Sequence, residues 1–224
     1  MANRERFLNA LTAIAAACTM VVTGVLVVDH LQPKQASVPQ ADRANREVTN
    51  WAELTSGGRH LGPSEAPITV VYFGDFECPA CGGFSRMLEG FRSAHPADIR
   101  VVFRHWPLPY HRFAYPSARA AECAAAQGRF EQMFQVLYAV QDSLGLVPFG
   151  ELAVRAGVAD ARAFESCARK ATPVQSIETD RKMAVDLRLR GTPGVIINGT
   201  MINERIPTAE DLQALISKMR ARGS

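Results

Sequence analysis

The chain has 224 residues, of which 47% are hydrophobic and 21% charged, so it can bury one sizeable core once a terminal segment is set aside. The formal net charge is only +3, and no run of Lys or Arg is interleaved with aromatic residues, which excludes a nucleic-acid-binding protein. One globular domain behind a separate N-terminal segment is the expected organisation.

The N-terminal segment has the pattern of a membrane anchor. Arg4 and Arg6 precede an apolar run over residues 10–28, about 19 residues, close to the roughly 20 that cross a hydrocarbon core as a helix. We predict a cytoplasmic N-terminus at 1–9 and a transmembrane signal anchor at 10–28, with the rest of the chain outside because positive residues stay inside. A cleaved signal peptide and a lipoprotein site at Cys18 are the alternatives.

Residues 29–58 are predicted to be an extracytoplasmic linker. The segment is polar, contains Pro33 and Pro39, and has few large apolar residues before Trp51. This composition is typical of a loosely extended spacer. Trp51 and Leu54 either dock on the domain that follows or lie at the membrane surface, and the sequence leaves both open.

A strand followed by a pair of cysteines opens the globular part. Ile68–Phe73 is apolar and rich in β-branched residues, which predicts a central strand buried on both faces. Cys78 and Cys81 follow, separated by two residues, and Pro79 suits the first turn of a helix. Unpaired N–H groups and the dipole at a helix start favour a thiolate. We therefore predict that Cys78 is the exposed nucleophile and Cys81 the resolving thiol.

A second strand and a long helical block come next. Residues 99–105 predict a strand that forms a parallel βαβ unit with the first one. Helical periodicity then dominates from about 111 to 190. Within this block, Thr172-Pro173-Val174-Gln175 has the pattern of a capping box that begins a helix running to Leu189.

The C-terminal part predicts a hairpin and a closing helix. Asn198-Gly199 lies between the apolar runs Val195–Ile197 and Met201–Ile202, the pattern of two antiparallel strands joined by a tight turn. Thr208 with Asp211 is expected to begin the final helix.

The order of these elements resembles the DsbA-like family of extracytoplasmic thiol-disulfide oxidoreductases, over about Leu61 to Arg220. The family has an α/β thioredoxin-like fold with an inserted helical domain, which implies such a domain at 59–224 with its insertion at about 111–190. The segments that carry the resemblance are Gly62-Pro63-Ser64-Glu65-Ala66-Pro67, Asp75-Phe76-Glu77-Cys78-Pro79-Ala80-Cys81, Phe103-Arg104-His105-Trp106-Pro107-Leu108, Ala120-Ala121-Glu122-Cys123-Ala124, Gln127-Gly128-Arg129-Phe130, and Gly191-Thr192-Pro193-Gly194-Val195-Ile196-Ile197-Asn198-Gly199.

The resemblance implies roles for residues outside the cysteine motif. Pro193 is expected to follow a cis peptide bond beside the active cysteines, where the backbone of Thr192 pairs with an extended substrate. An ordinary trans proline is the alternative. Family members often have an acidic side chain six residues before the first active cysteine, but this chain has Tyr72 there. Either Asp75, Glu77 or water then moves the proton, or resolution by Cys81 is slower.

The residues between the cysteines also differ from those of the strongly oxidising family founder, because Ala80 replaces a histidine. One source of thiolate stabilisation is therefore missing. We expect the pKa of Cys78 to lie below the free value of about 8.5 but above the extreme near 3.5. The corresponding reduction potential falls between roughly −270 and −120 mV.

Cys123 and Cys167 lie in the helical block, and the resemblance implies a structural disulfide between them. About 45 residues separate the two, a spacing for which chain entropy gives about 4 kcal/mol. Two buried free thiols or a second redox pair are the alternatives. Zinc is disfavoured because only one tight cysteine pair exists and the histidines are scattered. We expect no metal and no cofactor, and we expect His105 and His111 to be satisfied by solvent.

The leading functional prediction is a membrane-tethered oxidase that donates the Cys78–Cys81 disulfide to newly exported, reduced or unfolded proteins. A quinone-linked membrane thiol oxidase is the expected partner for reoxidation. A reductase or isomerase, for example in cytochrome maturation, and a non-catalytic tethered chaperone are the alternatives. We expect a monomer in the plasma membrane of a bacterium, with a single membrane span.

Overall fold

The computed structural model describes residues 45–203 and 205–223. Their strands form one sheet with the order β1-β6-β5-β3-β4-β2. β3 and β4 are parallel, and every other neighbouring pair is antiparallel. The strands are β1 (Arg46–Glu47), β2 (Arg59–Leu61), β3 (Ile68–Gly74), β4 (Ile99–His105), β5 (Gly194–Ile197) and β6 (Thr200–Ile202).

The helices flank this sheet, and several lie in a block between β4 and β5. They are α1 (Pro79–Ala94), α2 (Ala114–Ala125), α3 (Phe130–Ala139), α4 (Phe149–Arg155), α5 (Ala161–Ala168), α6 (Gln175–Asp186) and α7 (Ala209–Gly223). Short 3-10 helices cover Trp51–Thr55 and Gln141–Ser143. The arrangement is the thioredoxin-like α/β fold with a helical insertion that the sequence predicts.

The central strand β3 divides the core into two layers. All of its residues are buried, and their side chains alternate between the two faces of the sheet. Tyr72 belongs to the larger cluster beneath α1 and the inserted helices. Val71 and Phe73 belong to the smaller cluster on the opposite face, together with Leu54. The prediction of a strand buried on both faces is confirmed.

The hairpin between β5 and β6 also follows the sequence pattern. Asn198 has φ 46° and Gly199 has φ 87°, the two positive values that a tight hairpin turn of this kind requires. The register of β3 against β5 pairs Phe73 with Gly194, so the end of β3 lies beside the start of β5. This register brings the segments that follow β3 and precede β5 to one edge of the sheet.

Residues 45–58 are part of the fold, so the boundary predicted at residue 59 lies inside the folded region. β1 pairs with β6, and Leu54 is only 6% exposed. Arg104 donates hydrogen bonds from Nε and Nη2 to the Leu54 carbonyl at 3.1 and 2.9 Å. These contacts join positions about 50 residues apart, which composition alone does not reveal. Of the two places the sequence leaves open for Leu54, the structure shows it docked on the domain.

The capping box predicted at Thr172 is wrong. Helix α6 begins at Gln175, and its N-cap residue Val174 makes no side-chain capping bond. The helix ends at Asp186, and Arg188 follows with φ 53°, so the chain does not continue as helix to Leu189.

None of the helices within residues 45–203 and 205–223 is long and apolar enough to cross a bilayer. The predicted anchor at 10–28, the residues 1–9 before it, Cys18 and the linker as far as residue 44 lie outside the described residues.

Candidate active site

The two cysteines of the motif lie at the start of α1, where β3 leads into the helix. Cys78 is the N-cap residue with extended backbone (φ −74°, ψ 118°), and Pro79 occupies the first turn. The Gly82 N–H donates to the Cys78 carbonyl at 3.1 Å, the first hydrogen bond of the helix. Both cysteines are free thiols. Cys78 is buried with 8% of its surface exposed, so the prediction of an exposed nucleophile is wrong in the free protein, although Cys78 is more accessible than Cys81, which is fully buried.

The environments of the two sulfurs differ in a way that suits unequal roles. Hydrogen bonding with the Cys81 side chain is the largest influence that lowers the pKa of Cys78 to about 5, and it outweighs the opposing effect of burial. Contact with Thr192 and backbone groups of the helix start adds to the lowering. Burial is the largest influence on Cys81 and raises its pKa well above the ordinary value. At neutral pH, Cys78 is therefore the thiolate and Cys81 the protonated thiol.

The loop before β5 lies against this pair. The Thr192–Pro193 peptide bond is cis. The sulfur of Cys78 lies 3.4 Å from the Thr192 carbonyl oxygen and, when protonated, donates to it. The structure thus brings together Cys78, Cys81, Thr192 and Pro193, the residues that the sequence assigns to exchange and substrate binding.

Asp75 holds the turn between β3 and the motif. Its side chain is buried, accepting from the Glu77 N–H at 2.8 Å through Oδ1. Oδ2 accepts from the Leu108 N–H at 2.8 Å and lies 2.7 Å from Nδ1 of His111. The Asp75 carbonyl accepts from the Cys78 N–H at 3.2 Å. The expectation that solvent satisfies His111 is therefore wrong, because the buried carboxylate is its partner.

Tyr72 lies beneath the motif at the position where the family often has an acid. Its hydroxyl donates to the Cys81 carbonyl at 3.1 Å and lies 2.9 Å from the hydroxyl of Tyr138 on α3. Burial raises the pKa of Tyr72 well above 10. A phenol of this kind stays neutral at physiological pH, so Tyr72 orients the helix start rather than accepting a proton from Cys81.

Gln141 reaches the motif from the inserted helical block. Its Nε2 donates to the carbonyls of Phe76 and Cys78, both at 2.8 Å. Sequence reasoning missed this contact because a single glutamine about 60 residues from the motif carries no local pattern. Gly82 is the residue whose type reflects this contact, since the Gln141 side chain fills the space that a Cβ on Gly82 would occupy.

A buried ionic cluster links β2, β4 and the helical block. Oε1 of Glu122 accepts from Arg59 Nε at 2.7 Å and lies 2.9 Å from His105 Nε2, while Ser176 donates to Oε2 at 2.7 Å. Burial alone would raise the pKa of Glu122, but the hydrogen bonds from Arg59 and His105 outweigh it and hold the pKa below its usual range. His105 is almost fully buried, so the expectation that solvent satisfies it is also wrong.

Cys123 and Cys167 form a disulfide that joins α2 to α5. Their Cα atoms are 5.8 Å apart, and the bond lies within the helical block. Neither cysteine stands at a helix start, in contrast with Cys78.

A family model and several solved structures match this fold. The family model described as thioredoxin matches residues 54–218. Among solved structures, DsbA2 of Pseudomonas aeruginosa is 26% identical with a TM-score of 0.57, covering 71% of this chain and 92% of that one. BdbD of Bacillus subtilis, in its oxidised form, shares the fold at a TM-score of 0.64 and 21% identity, covering 79% of this chain and 97% of that one.

Curated relatives match a smaller region. A protein of Mycolicibacterium gilvum named Na(+)/H(+) antiporter NhaA 1 is 36% identical over 141 residues, which is 62% of this chain and 23% of the relative. The chain thus spans less than a quarter of the length of the relatives of this kind that it matches. The match over residues 54–218 shows that the chain belongs to the thioredoxin family, within which it is similar to DsbA-like proteins.

Proposed function

We propose that this enzyme donates the Cys78–Cys81 disulfide to newly exported proteins on the outer side of a bacterial plasma membrane. The observation that carries the proposal is the placement of the Cys78 sulfur at a helix start, 3.4 Å from the Thr192 carbonyl, where hydrogen bonding with the Cys81 side chain lowers the pKa of Cys78 to about 5. A reactive sulfur therefore lies beside backbone that can pair with an extended chain.

The exchange takes place in two displacements. A substrate thiolate attacks the Cys78 sulfur of the oxidised enzyme, so a mixed disulfide forms and the bond to Cys81 breaks. The sulfur of Cys81 leaves as a thiolate and takes up a proton, because burial raises its pKa. A second substrate thiolate then attacks the substrate sulfur of the mixed disulfide and releases Cys78 as a thiolate. Two electrons pass from the substrate to the enzyme, and the substrate gains one disulfide.

The direction of net reaction follows from which form of the enzyme is stabilised. A lowered pKa makes Cys78 a good leaving group and stabilises the dithiol form, and a stabilised dithiol form makes the disulfide more oxidising. We therefore propose the oxidase direction, with a potential between roughly −270 and −120 mV.

The membrane setting is part of the same proposal. Residues 10–28 tether the domain, and Arg4 and Arg6 keep the preceding residues in the cytoplasm. A quinone-linked membrane thiol oxidase reoxidises Cys78 and Cys81, and the enzyme works as a monomer.

Trapping of the mixed disulfide tests the proposal. We expect Cys81→Ser to accumulate covalent adducts with exported proteins in membrane fractions, because its Cys78 thiolate attacks a substrate disulfide and expels one substrate cysteine as a thiolate, and no resolving thiol remains to release the adduct. We expect Cys78→Ser to form none. Both variants should lose oxidation of reduced ribonuclease. Full cellular function of Cys78→Ser would contradict the proposal and favour a chaperone. A wild-type enzyme found mainly as the dithiol in cells would instead favour a reductase.

A further inference from the structure

The side chain of Gln141 connects the inserted helical block directly to the backbone that carries the reactive sulfur. It extends from the 3-10 helix Gln141–Ser143, which follows α3. Its amide nitrogen donates one hydrogen to the Phe76 carbonyl and the other to the Cys78 carbonyl, both at 2.8 Å. Both donors of the amide are therefore used within the motif.

The orientation of this amide is fixed by its partners. Both partners of the nitrogen are carbonyl oxygens, so a flipped amide would place an acceptor against two acceptors. The Gln141 Oε1 atom then faces α1, only 2.1 Å from the position that a Cβ on Gly82 would take. Gly82 is consequently required for the side chain to reach the motif, whereas a Cβ on the neighbouring Gly83 would meet nothing within 4 Å.

We propose that Gln141 is a positioning residue for disulfide exchange, which sets the balance between the dithiol and disulfide forms by holding the Cys78 peptide in its dithiol geometry. The role rests on the proposal that Cys78 is the exchanging cysteine. The helical insertion would then influence the dithiol–disulfide equilibrium of the active site directly, through the Gln141 amide.

The physical argument concerns how the Cys78 thiolate is stabilised. The sulfur depends on aligned donors, namely the Cys81 side chain and backbone groups of Cys81 and Ala80. The Cys78 N–H is already held by the Asp75 carbonyl at 3.2 Å, and Gln141 fixes the carbonyl side of the same residue. Without Gln141, the Cys78 carbonyl keeps only the Gly82 N–H as its donor, so the peptide is held less firmly against these donors, the thiolate loses stabilisation and the dithiol form is disfavoured.

Two independent substitutions test the role. Gln141→Ala removes the amide, and Gly82→Ala displaces it, because the atom that must move is the end of a flexible side chain. Gly82→Ala should fold because alanine is favoured over glycine within a helix, and Gln141→Ala should fold because it removes no side chain of the buried apolar core. Matched controls are Gly83→Ala, where the added Cβ meets nothing, and Gln135→Ala, where an exposed amide bonds Glu89 at 3.2 Å.

The measurement is the equilibrium of each full-length variant with glutathione, together with the thiolate absorbance of Cys78 as a function of pH. We expect Gln141→Ala and Gly82→Ala each to shift the equilibrium constant about threefold to tenfold toward the disulfide form, the size of one net hydrogen bond. A tenfold shift corresponds to about 30 mV. The midpoint of the Cys78 titration should rise in parallel, and the double variant should shift no further than either single one.

Controls that shift as far as the test variants, or a Gln141→Ala enzyme that keeps the wild-type equilibrium and titration, would overturn the proposal. Full additivity in the double variant would overturn it as well, because the two changes would then act separately. Failure of the proposed function is distinguishable, because it shows in the adducts of Cys81→Ser and in the cellular redox state of the wild type. The glutathione equilibrium and the titration of Cys78 test Gln141 in an oxidase and a reductase alike.

Discussion

The sulfur of Cys78 lies 3.4 Å from the carbonyl oxygen of Thr192, although 114 residues separate them in the chain. The register of β3 against β5 explains this proximity, because Phe73 pairs with Gly194 and both loops therefore leave the same edge of the sheet. One edge of the fold thus presents the reactive sulfur and the backbone available to a substrate side by side.

The N-terminal segment of the described residues should contribute measurably to stability. We expect Leu54→Ala to lower the free energy of unfolding by about 2–5 kcal/mol, because Leu54 is 6% exposed and packs in the smaller cluster. Leu146→Ala is the matched control, since Leu146 is 83% exposed and should change stability by less than about 0.5 kcal/mol. Equal effects in urea denaturation would show that the segment does not dock.

Elements with a strong local pattern were predictable from the sequence. The strand at 99–105, the turn at Asn198-Gly199 and the helix start at Pro79 all follow from hydrophobic periodicity and turn chemistry. Contacts between residues far apart in the chain were not predictable, because they leave no local sequence pattern. Arg104 with the Leu54 carbonyl and the Gln141 amide on the motif belong to this second class.

The histidines illustrate the same limit. His105 and His111 stand near the end of a strand and in a loop, positions that usually imply contact with solvent. Each instead has a buried carboxylate as its partner, Glu122 for His105 and Asp75 for His111. The packing of α2 places Glu122 beside His105, and the path of the loop after β4 places His111 beside Asp75. Neither contact can be read from residue spacing along the chain.

Removal of the Cys123–Cys167 disulfide should affect stability without affecting exchange. We expect Cys123→Ala/Cys167→Ala to lose about 4 kcal/mol of unfolding free energy, because the bond closes a loop over a separation of 44 residues. The glutathione equilibrium of Cys78 and Cys81 should stay at the wild-type value. A mixed or exchanged disulfide between the two pairs, detected by mass spectrometry of the partly reduced wild type, would contradict a structural role.

The buried Glu122 should give the protein a pH-dependent stability. Hydrogen bonds from Arg59 and His105 hold the pKa of Glu122 below its ordinary value of 4.5, against the effect of burial. The stabilisation of the folded protein by ionised Glu122 is therefore complete above pH 4.5. It is lost as the pH falls from 4.5 toward the lower pKa of Glu122 in the folded state. We expect Glu122→Gln to cost about 3 kcal/mol at pH 7 and to make the stability less sensitive to acid.

The control for this experiment is Glu151→Gln, which breaks the exposed ion pair between Glu151 and Arg155. An exposed pair of this type contributes less than about 0.5 kcal/mol to stability. The control should therefore resemble the wild type in denaturation curves recorded at pH 7 and at acid pH. A Glu122 variant as stable as this control would refute the role assigned to the cluster.

The most direct test of the account is the rate at which each cysteine of the reduced enzyme is alkylated as the pH is varied, read residue by residue by mass spectrometry. We predict that Cys78 is modified with a midpoint at about pH 5 and that the buried Cys81 stays unmodified at neutral pH. Modification of Cys81 before Cys78, or a Cys78 midpoint near the ordinary thiol pKa of about 8.5, would contradict the assignment of Cys78 as the exchanging nucleophile.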